Sequence, residues 1–325
     1  MAPNPFSFSV REATPADEPD VRALIAEMIP GVDVDARWRW MYEQNPGGRA
    51  LTWLAVAPGG EVAGCTSFFP FRMWLDGAEV RGALGGDGYV RPAFRRRGLG
   101  GLLHDASRRG MRAHAIGCMY GAPGAMNVTP LKHGGSRELG AVARFVRPLR
   151  AGPFPLVAPV FGARLEAMTP RDSRVDDVWR EARTDLRLAS VRDAAFYQWR
   201  FRDAPAQKQI AYVIVDGRRA IGACALESLG GGAELQIVDL VAVPGAWHAC
   251  LRAIAHHGAR HTRARIASIK LFAIDGRRRG MLRAGFLERE SKPFLCMIPT
   301  TGDRRFIDPQ RWFYCGGDSD LDTLV

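Results

Sequence analysis

Apolar and polar positions along this chain follow two periods. Residues Phe6 to Arg11 alternate one by one, the pattern of a half-buried strand. Thr14, Pro15 and Asp17 supply a hydroxyl N-cap, a proline at the first helical position and an acid in the first turn. Val21, Leu24, Ile25 and Met28 then recur at helical spacing. Trp53 to Ala57 and Val62 to Phe69 read as strands joined at Gly59-Gly60. Asp76-Gly77, between Met73-Trp74-Leu75 and the run from Ala78, is a two-residue hairpin signal. A strand ending at Tyr89-Val90 runs into a turn of arginine and glycine. Leu99, Leu102, Leu103 and Ala106 then place one apolar stripe on the following helix. With Ala115 to Tyr120 and Val142 to Val146 as further strands, the order predicts a mixed α/β layered sandwich.

At 325 residues the chain is long for one domain. Pro148, Pro153, Pro155, Pro159 and Pro170 interrupt regular structure, and a boundary is expected there. This gives domains at 1–150 and 184–325, joined by a Pro-rich linker at 151–183. The second half echoes the first. Asp35 to Pro46 resembles Asp193 to Pro205, with the interval from Trp40 to Pro46 repeated from Trp199 to Pro205. GDGYVRP has a counterpart in VDLVAVP, EVAGCTSF in AIGACALE, and RELGAV in LRAGFL. Four matches in one order indicate an internal duplication.

Composition is that of a soluble globular protein, 47% hydrophobic and 24% charged. The net charge of +11 attracts polyanions, but no helix-turn-helix, zinc-finger or aromatic RNA-binding pattern accompanies it, so nucleic acid is disfavoured as a partner. The six cysteines show no C-x-x-C pair, which argues against a metal site and for a reducing cytoplasm. Cys118 reads as a core residue, and His256-His257 lacks a third ligand. No signal peptide or membrane span is expected.

The segment from Asp87 to Leu103 carries the chemistry. Glycines there let a backbone approach a ligand and aim N–H groups at it, and a helix N-terminus adds partial positive charge. Arg95, Arg96 and Arg97 supply charge for a pyrophosphate. Neither the P-loop nor the dinucleotide glycine pattern is present.

D-G-Y-V-R-P-A-F-R-R-R-G-L-G-G-L-L resembles the acyl-CoA-binding signature of the GNAT acetyltransferase superfamily, [RQ]-x-x-G-x-[GA] after a strand, with Arg95, Gly98 and Gly100 on the pattern. The opening from Val10 to Asp17 and Leu139-Gly140 are similar to that superfamily as well. The resemblance implies two GNAT-like domains, each a mostly antiparallel mixed sheet with splayed central strands. Acetyl-CoA would be the co-substrate, with no metal. Its arm would pair at Tyr89 and Val90, with Asn127 near the pantetheine. Its pyrophosphate would rest on the turn formed by Arg95, Arg96, Arg97, Gly98, Leu99, Gly100 and Gly101. Val243 to His248 departs from the pattern, so the second copy is read as degenerate.

For transfer to an amine, Asp87 is the first candidate base, since it precedes the turn. Tyr120 and His133 are candidates for the acid, although the resemblance places a tyrosine after Asn127 and none stands there. The acceptor expected is a small-molecule or peptide amine, and a homodimer is left open. The competing class is a non-catalytic acyl-CoA-binding or regulatory protein of the same fold. The acidic tail from Gly316 to Asp322 is expected to be a solvated terminus.

Overall fold

The computed structural model describes residues 8–158, 162–273 and 276–319. Phe6 and Ser7 of the predicted first strand, and Asp320 and Asp322 of the tail, lie outside the described residues. The first half consists of β1 (Ser9–Glu12), α1 (Glu18–Met28), α2 (Val34–Arg37), β2 (Leu51–Val56), β3 (Val62–Leu75), β4 (Ala78–Val90), α3 (Leu99–Gly110), β5 (Met119–Gly121), α4 (Ala125–His133) and β6 (Arg137–Pro148). A two-residue hairpin follows, β7 (Arg150–Ala151) and β8 (Phe154–Pro155), then β9 (Ala163–Ala167) and α5 (Arg174–Ala182). The remainder is β10 (Leu188–Ser190), α6 (Ala194–Tyr197), β11 (Gln209–Asp216), β12 (Arg219–Leu229), β13 (Glu234–Ala242), α7 (Trp247–His261), β14 (Ile266–Ala273), α8 (Gly276–Arg283), β15 (Leu287–Met297) and β16 (Phe313–Cys315).

Local signals in the sequence decide local structure. Asp76 and Gly77 take φ of 45° and 98°, the left-handed pair a tight hairpin needs, and join β3 to β4 in register from Leu75↔Ala78. Asp17 caps Thr14 and also binds Arg11, fixing the start of the first helix. β3 continues through Pro70, because β2 pairs with it only up to Phe68 and β10 only from Met73. The missing proline N–H therefore falls where no neighbouring strand asks for it.

Long-range pairing decides the rest. The sheet runs β1-β2-β3-β4-β5-β15-β6-β14-β13-β12-β11-β9, mostly antiparallel, with β10 added on β3 and β16 on β14. Among the described residues two strand pairs are parallel, β4 with β5 and β13 with β14. The sequence suggests a sheet for each half, but the structure joins them in one. β6 is long enough to pair with β15 from Arg137 to Val146 and with β14 from Ala143 to Pro148, while the short β5 pairs with β15. Of the segment expected as a linker, β9 pairs antiparallel with β11 and α5 buries Val175, Val178 and Trp179, while the β7–β8 hairpin stands apart from the large sheet and is largely exposed.

α1 packs on one face of the sheet through Val21, Leu24 and Ile25. α3 packs on the other, where Leu99, Leu103 and Ala106 meet Trp53, Phe68, Ala83 and Met119. Leu102, expected in this stripe, is 45% exposed and stands outside it. All six cysteines are buried and unpaired, Cys118 among them. No helix among the described residues is long and apolar enough to cross a membrane.

Candidate functional site

β4 and β5 are hydrogen-bonded only at Ala83↔Met119 and Leu84↔Tyr120. Beyond Leu84 they part, and among the described residues no strand pairs with that edge of β4. On its other edge β4 follows β3, with one extra residue between Tyr89↔Cys65 and Gly86↔Ser67. This bulge places Asp87 at φ 46°, a left-handed conformation that turns its side chain into the face occupied by α2.

There both carboxylate oxygens of Asp87 are taken. Arg37 reaches them at 2.6 and 3.3 Å, and the Tyr42 hydroxyl donates at 2.8 Å. Tyr42 stands 3.2 Å from the Ser67 hydroxyl, which stands 2.9 Å from Thr52. Burial, and next the charge of Asp87, push the Tyr42 hydroxyl well above the usual phenol range. The same two causes push the Cys65 thiol up to about 12. These bonds tie Asp87, the expected base, and with it the bulge, to α2 and Tyr42. Among the described residues Oδ1 accepts from Arg37 alone, while Oδ2 accepts from both Arg37 and Tyr42.

The other expected catalytic groups are not gathered here. Tyr120 is fully buried among Phe71, Phe294, Trp312 and Tyr314, with its hydroxyl 3.1 Å from Ser190. Burial pushes that hydroxyl well above the usual phenol range, and Tyr120 packs as a core residue. His133 is exposed at the C-terminal end of α4 and hydrogen-bonds to neither.

The turn after β4 matches the expectation more closely. Arg91 returns its N–H to Ala63 and its guanidinium to Glu27 and Val62, which closes the strand end. A short 3-10 turn at Pro92–Phe94 leads to Arg96, with φ 62°, and Gly98, with φ 78°, before α3 begins. No protein acceptor among the described residues meets the N–H groups of Arg96, Arg97, Gly98, Leu99 and Gly100; the first capping bonds are from Gly101 and Leu102 to the Gly98 carbonyl. A side-chain atom added at Gly98, Gly100 or Gly101 would meet nothing within 4 Å, so the glycines of this turn face open space. Arg96 and Arg97 are exposed. Arg95 folds back, its Nε 2.9 Å from the Val90 carbonyl and its guanidinium 5.7 Å from the Tyr89 ring. Asn127 is exposed in the first turn of α4, beside α3.

This arrangement offers consecutive N–H groups, a helix N-terminus and the exposed guanidinium groups of Arg96 and Arg97, the latter over the Phe94 ring at 5.7 Å, beside an unpaired strand edge, a setting suited to a phosphate-bearing extended molecule. A cavity of about 110 Å³ lined by Arg108, Arg137, Arg304 and Cys296 lies elsewhere, at the other end of α3. From Leu99 to Arg108 the helix advances about 13 Å.

Sequence reasoning missed Arg37 and Tyr42. The second half holds Asp239 in a like manner, with Arg192 at 3.1 Å and Tyr197 at 2.8 Å, but the register that pairs Trp40 with Trp199 sets Arg37 against Phe196, so the repeat did not announce the pair.

With its one large, mostly antiparallel mixed sheet, its parting parallel strands and a helix that begins at the parting, the chain shares the fold of solved GCN5-related N-acetyltransferases. Solved structures agree. A GCN5-related N-acetyltransferase from Anabaena variabilis ATCC 29413 is similar at a TM-score of 0.70 with 15% identity, over 90% of this chain and 73% of that one. One from Kribbella flavida is similar at 0.62 with 21% identity, over 91% and 72%. Saccharomyces cerevisiae N-myristoyltransferase with bound myristoyl-CoA is similar at 0.55 with 12% identity, over 91% and 85%. No protein-family model matches the chain. No curated protein matches it in sequence.

Proposed function

We propose that this protein transfers an acetyl group from acetyl-CoA to a primary amine of a small molecule or peptide. The observation that carries the reading is the row of unpaired amides from Arg96 to Gly100 at the head of α3, beside the free edge of β4. The diphosphate of coenzyme A lies on those amides with Arg96 and Arg97 beside it. The pantetheine runs along the β4 edge past Tyr89 and Val90, and the thioester arrives near the bulge. The amine nitrogen forms the new C–N bond as the C–S bond breaks, and the proton that the amine loses reaches the sulfur through water. No base is assigned to Asp87, and positioning supplies the rate. The myristoyl-CoA bound to the yeast neighbour supports an acyl-CoA co-substrate. Two related halves, 1–150 and 184–325, are the reading best supported by the two parallel pairs and by the reciprocal Trp40 and Trp199 turns. The six unpaired thiols support a reducing cytoplasm as its place.

The second reading, an acyl-CoA-binding protein without turnover, is favoured by the engagement of Asp87 and Tyr120 in buried contacts. Calorimetry with coenzyme A tests binding, and thiol release from acetyl-CoA over a panel of amines tests transfer. Release with any amine supports the enzyme, and binding without release supports the second reading. Gly100→Leu keeps the fold, since its side chain meets open space, and abolishes binding; unchanged affinity in this variant would overturn both.

A further inference from the structure

The second parallel pair parts as the first does, but its gap is filled. β13 and β14 pair from Glu234↔Ile266 to Ile237↔Ile269 and then separate. Into the opening comes β16, with Phe313, Tyr314 and Cys315 antiparallel to Ala273, Phe272 and Leu271. β6 already holds the opposite edge of β14 as far as Leu271, so β16 stands on the side that faces β13. The chain then lies against β13 so closely that only glycine fits. A Cβ on Gly316 would stand 2.8 Å from the Val238 carbonyl oxygen, and one on Gly317 would stand 2.7 Å from the Asp239 carboxylate.

Charge holds the end of this segment. Asp318 accepts from the Cys315 N–H at 2.9 Å and from Arg192 at 2.5 Å, and Arg192 also binds Asp239 at 3.1 Å. Arg200 donates to the carbonyls of Gly317 at 3.1 Å and Ser319 at 2.6 Å. All residues from Phe313 to Asp318 are buried, against the expectation of a solvated tail, because Asp318 has a buried guanidinium to meet. At the head of α7, where α3 presents bare amides, Phe313 packs edge-on to Trp247 at 5.9 Å and Arg277 lies over both rings.

We propose that the segment Phe313–Asp318 is a built-in ligand of the second groove, which it closes to any extended cofactor. Parting strands leave N–H and C=O groups unpaired, and an added extended chain satisfies them. Here that chain is the protein's own C-terminal segment. The occupancy rests on geometry alone. Its consequence, that one chain takes up a single equivalent of coenzyme A, rests on the function proposed above.

Hydrogen exchange on the full chain reads the occupancy directly. Amides of 313–318 exchange slower than a free peptide by at least about 100-fold, in line with 266–273. Thiol labelling of the native chain leaves Cys315 unreacted, whereas Gly316→Val, which cannot approach Val238, exposes Cys315 and leaves Cys65 and Cys118 protected. Asp318→Asn, a milder change, speeds exchange at 313–318 without altering 83–90. Free-peptide exchange at 313–318, or a Cys315 that reacts in the unaltered chain, would overturn the proposal. Protection that disappears on dilution to monomer would assign the strand to a second copy and overturn it too. In calorimetry, one equivalent for the unaltered chain and none for Gly100→Leu fit a closed second groove, and residual binding in Gly100→Leu contradicts it. No binding in either sinks the functional reading and leaves the labelling result standing.

Discussion

The indole N–H of Trp40 donates to the backbone carbonyl of Trp199 at 2.7 Å, and that of Trp199 donates back to the carbonyl of Trp40 at 2.9 Å, with the rings stacked 5.3 Å apart. Each tryptophan sits in a π-helical turn, after a short helix capped by Asp33 in one case and Asp193 in the other. The exchange joins the two halves at the middle of the core. Trp40→Phe or Trp199→Phe keeps most of the stacking area and leaves one buried carbonyl without a donor. Each variant is expected to lose about 1–3 kcal/mol in urea unfolding. The two share one contact, so the double variant loses less than the sum of the singles.

Local chemistry was legible in the sequence, and partners far along the chain were not. Asp76-Gly77 announced its turn because the conformation depends on those two residues alone. The turn after Val90 announced its bare amides for the same reason. Nothing near Asp87 announced Arg37, which lies 50 residues away, and nothing near Asp318 announced Arg192, 126 residues away. An acid among acids reads as solvated until its cation is known. The shared sheet was equally silent, since β6 would show the same apolar pattern beside β5 as beside β14.

Arg96 holds φ 62° in the turn, a conformation that costs a non-glycine residue about 1 kcal/mol or more. Arg96→Gly relieves that cost and removes one exposed guanidinium. Thermal unfolding is expected to move little or slightly upward. Coenzyme A affinity is expected to fall about tenfold, the loss of one charge-assisted hydrogen bond, with a weaker salt dependence. Calorimetry at two ionic strengths checks both; a fall in stability with unchanged affinity would show that Arg96 serves the turn and not the ligand.

Asp172 lies beneath the start of α5, bound by the Arg174 guanidinium and by the Thr169 and Arg174 amides. Arg174, foremost, holds its carboxyl down at about 2. A carboxyl depressed on folding adds stability above its unfolded pKa and loses it as pH falls towards the folded value. From about pH 4 down to pH 2 the unaltered chain should therefore lose up to about 2 kcal/mol through this group. Asp172→Asn is less stable at pH 7 and lacks that part of the acid slope. Urea midpoints from pH 7 to pH 2 for the two chains measure the difference.

Asp87 decides between an anchor and a base. An anchor's removal is felt in stability, because Arg37 and Tyr42 both lose the buried carboxylate that they hold; breaking such a buried pair costs about 3–5 kcal/mol. A base's removal is felt in turnover, typically about 10²–10⁴-fold, with loss of the acid limb of the pH profile. Both oxygens of Asp87 are held by Arg37 and Tyr42, so Asp87→Asn should be destabilised by the first amount. Its kcat per folded molecule should stay within about tenfold of the unaltered chain, with the limb of kcat/KM against pH in place. Urea unfolding gives the folded fraction at the assay temperature, and thiol release gives the rate. A folded Asp87→Asn that has lost both its rate and that limb would return the carboxylate to the reaction and make its bonds to Arg37 and Tyr42 a resting state.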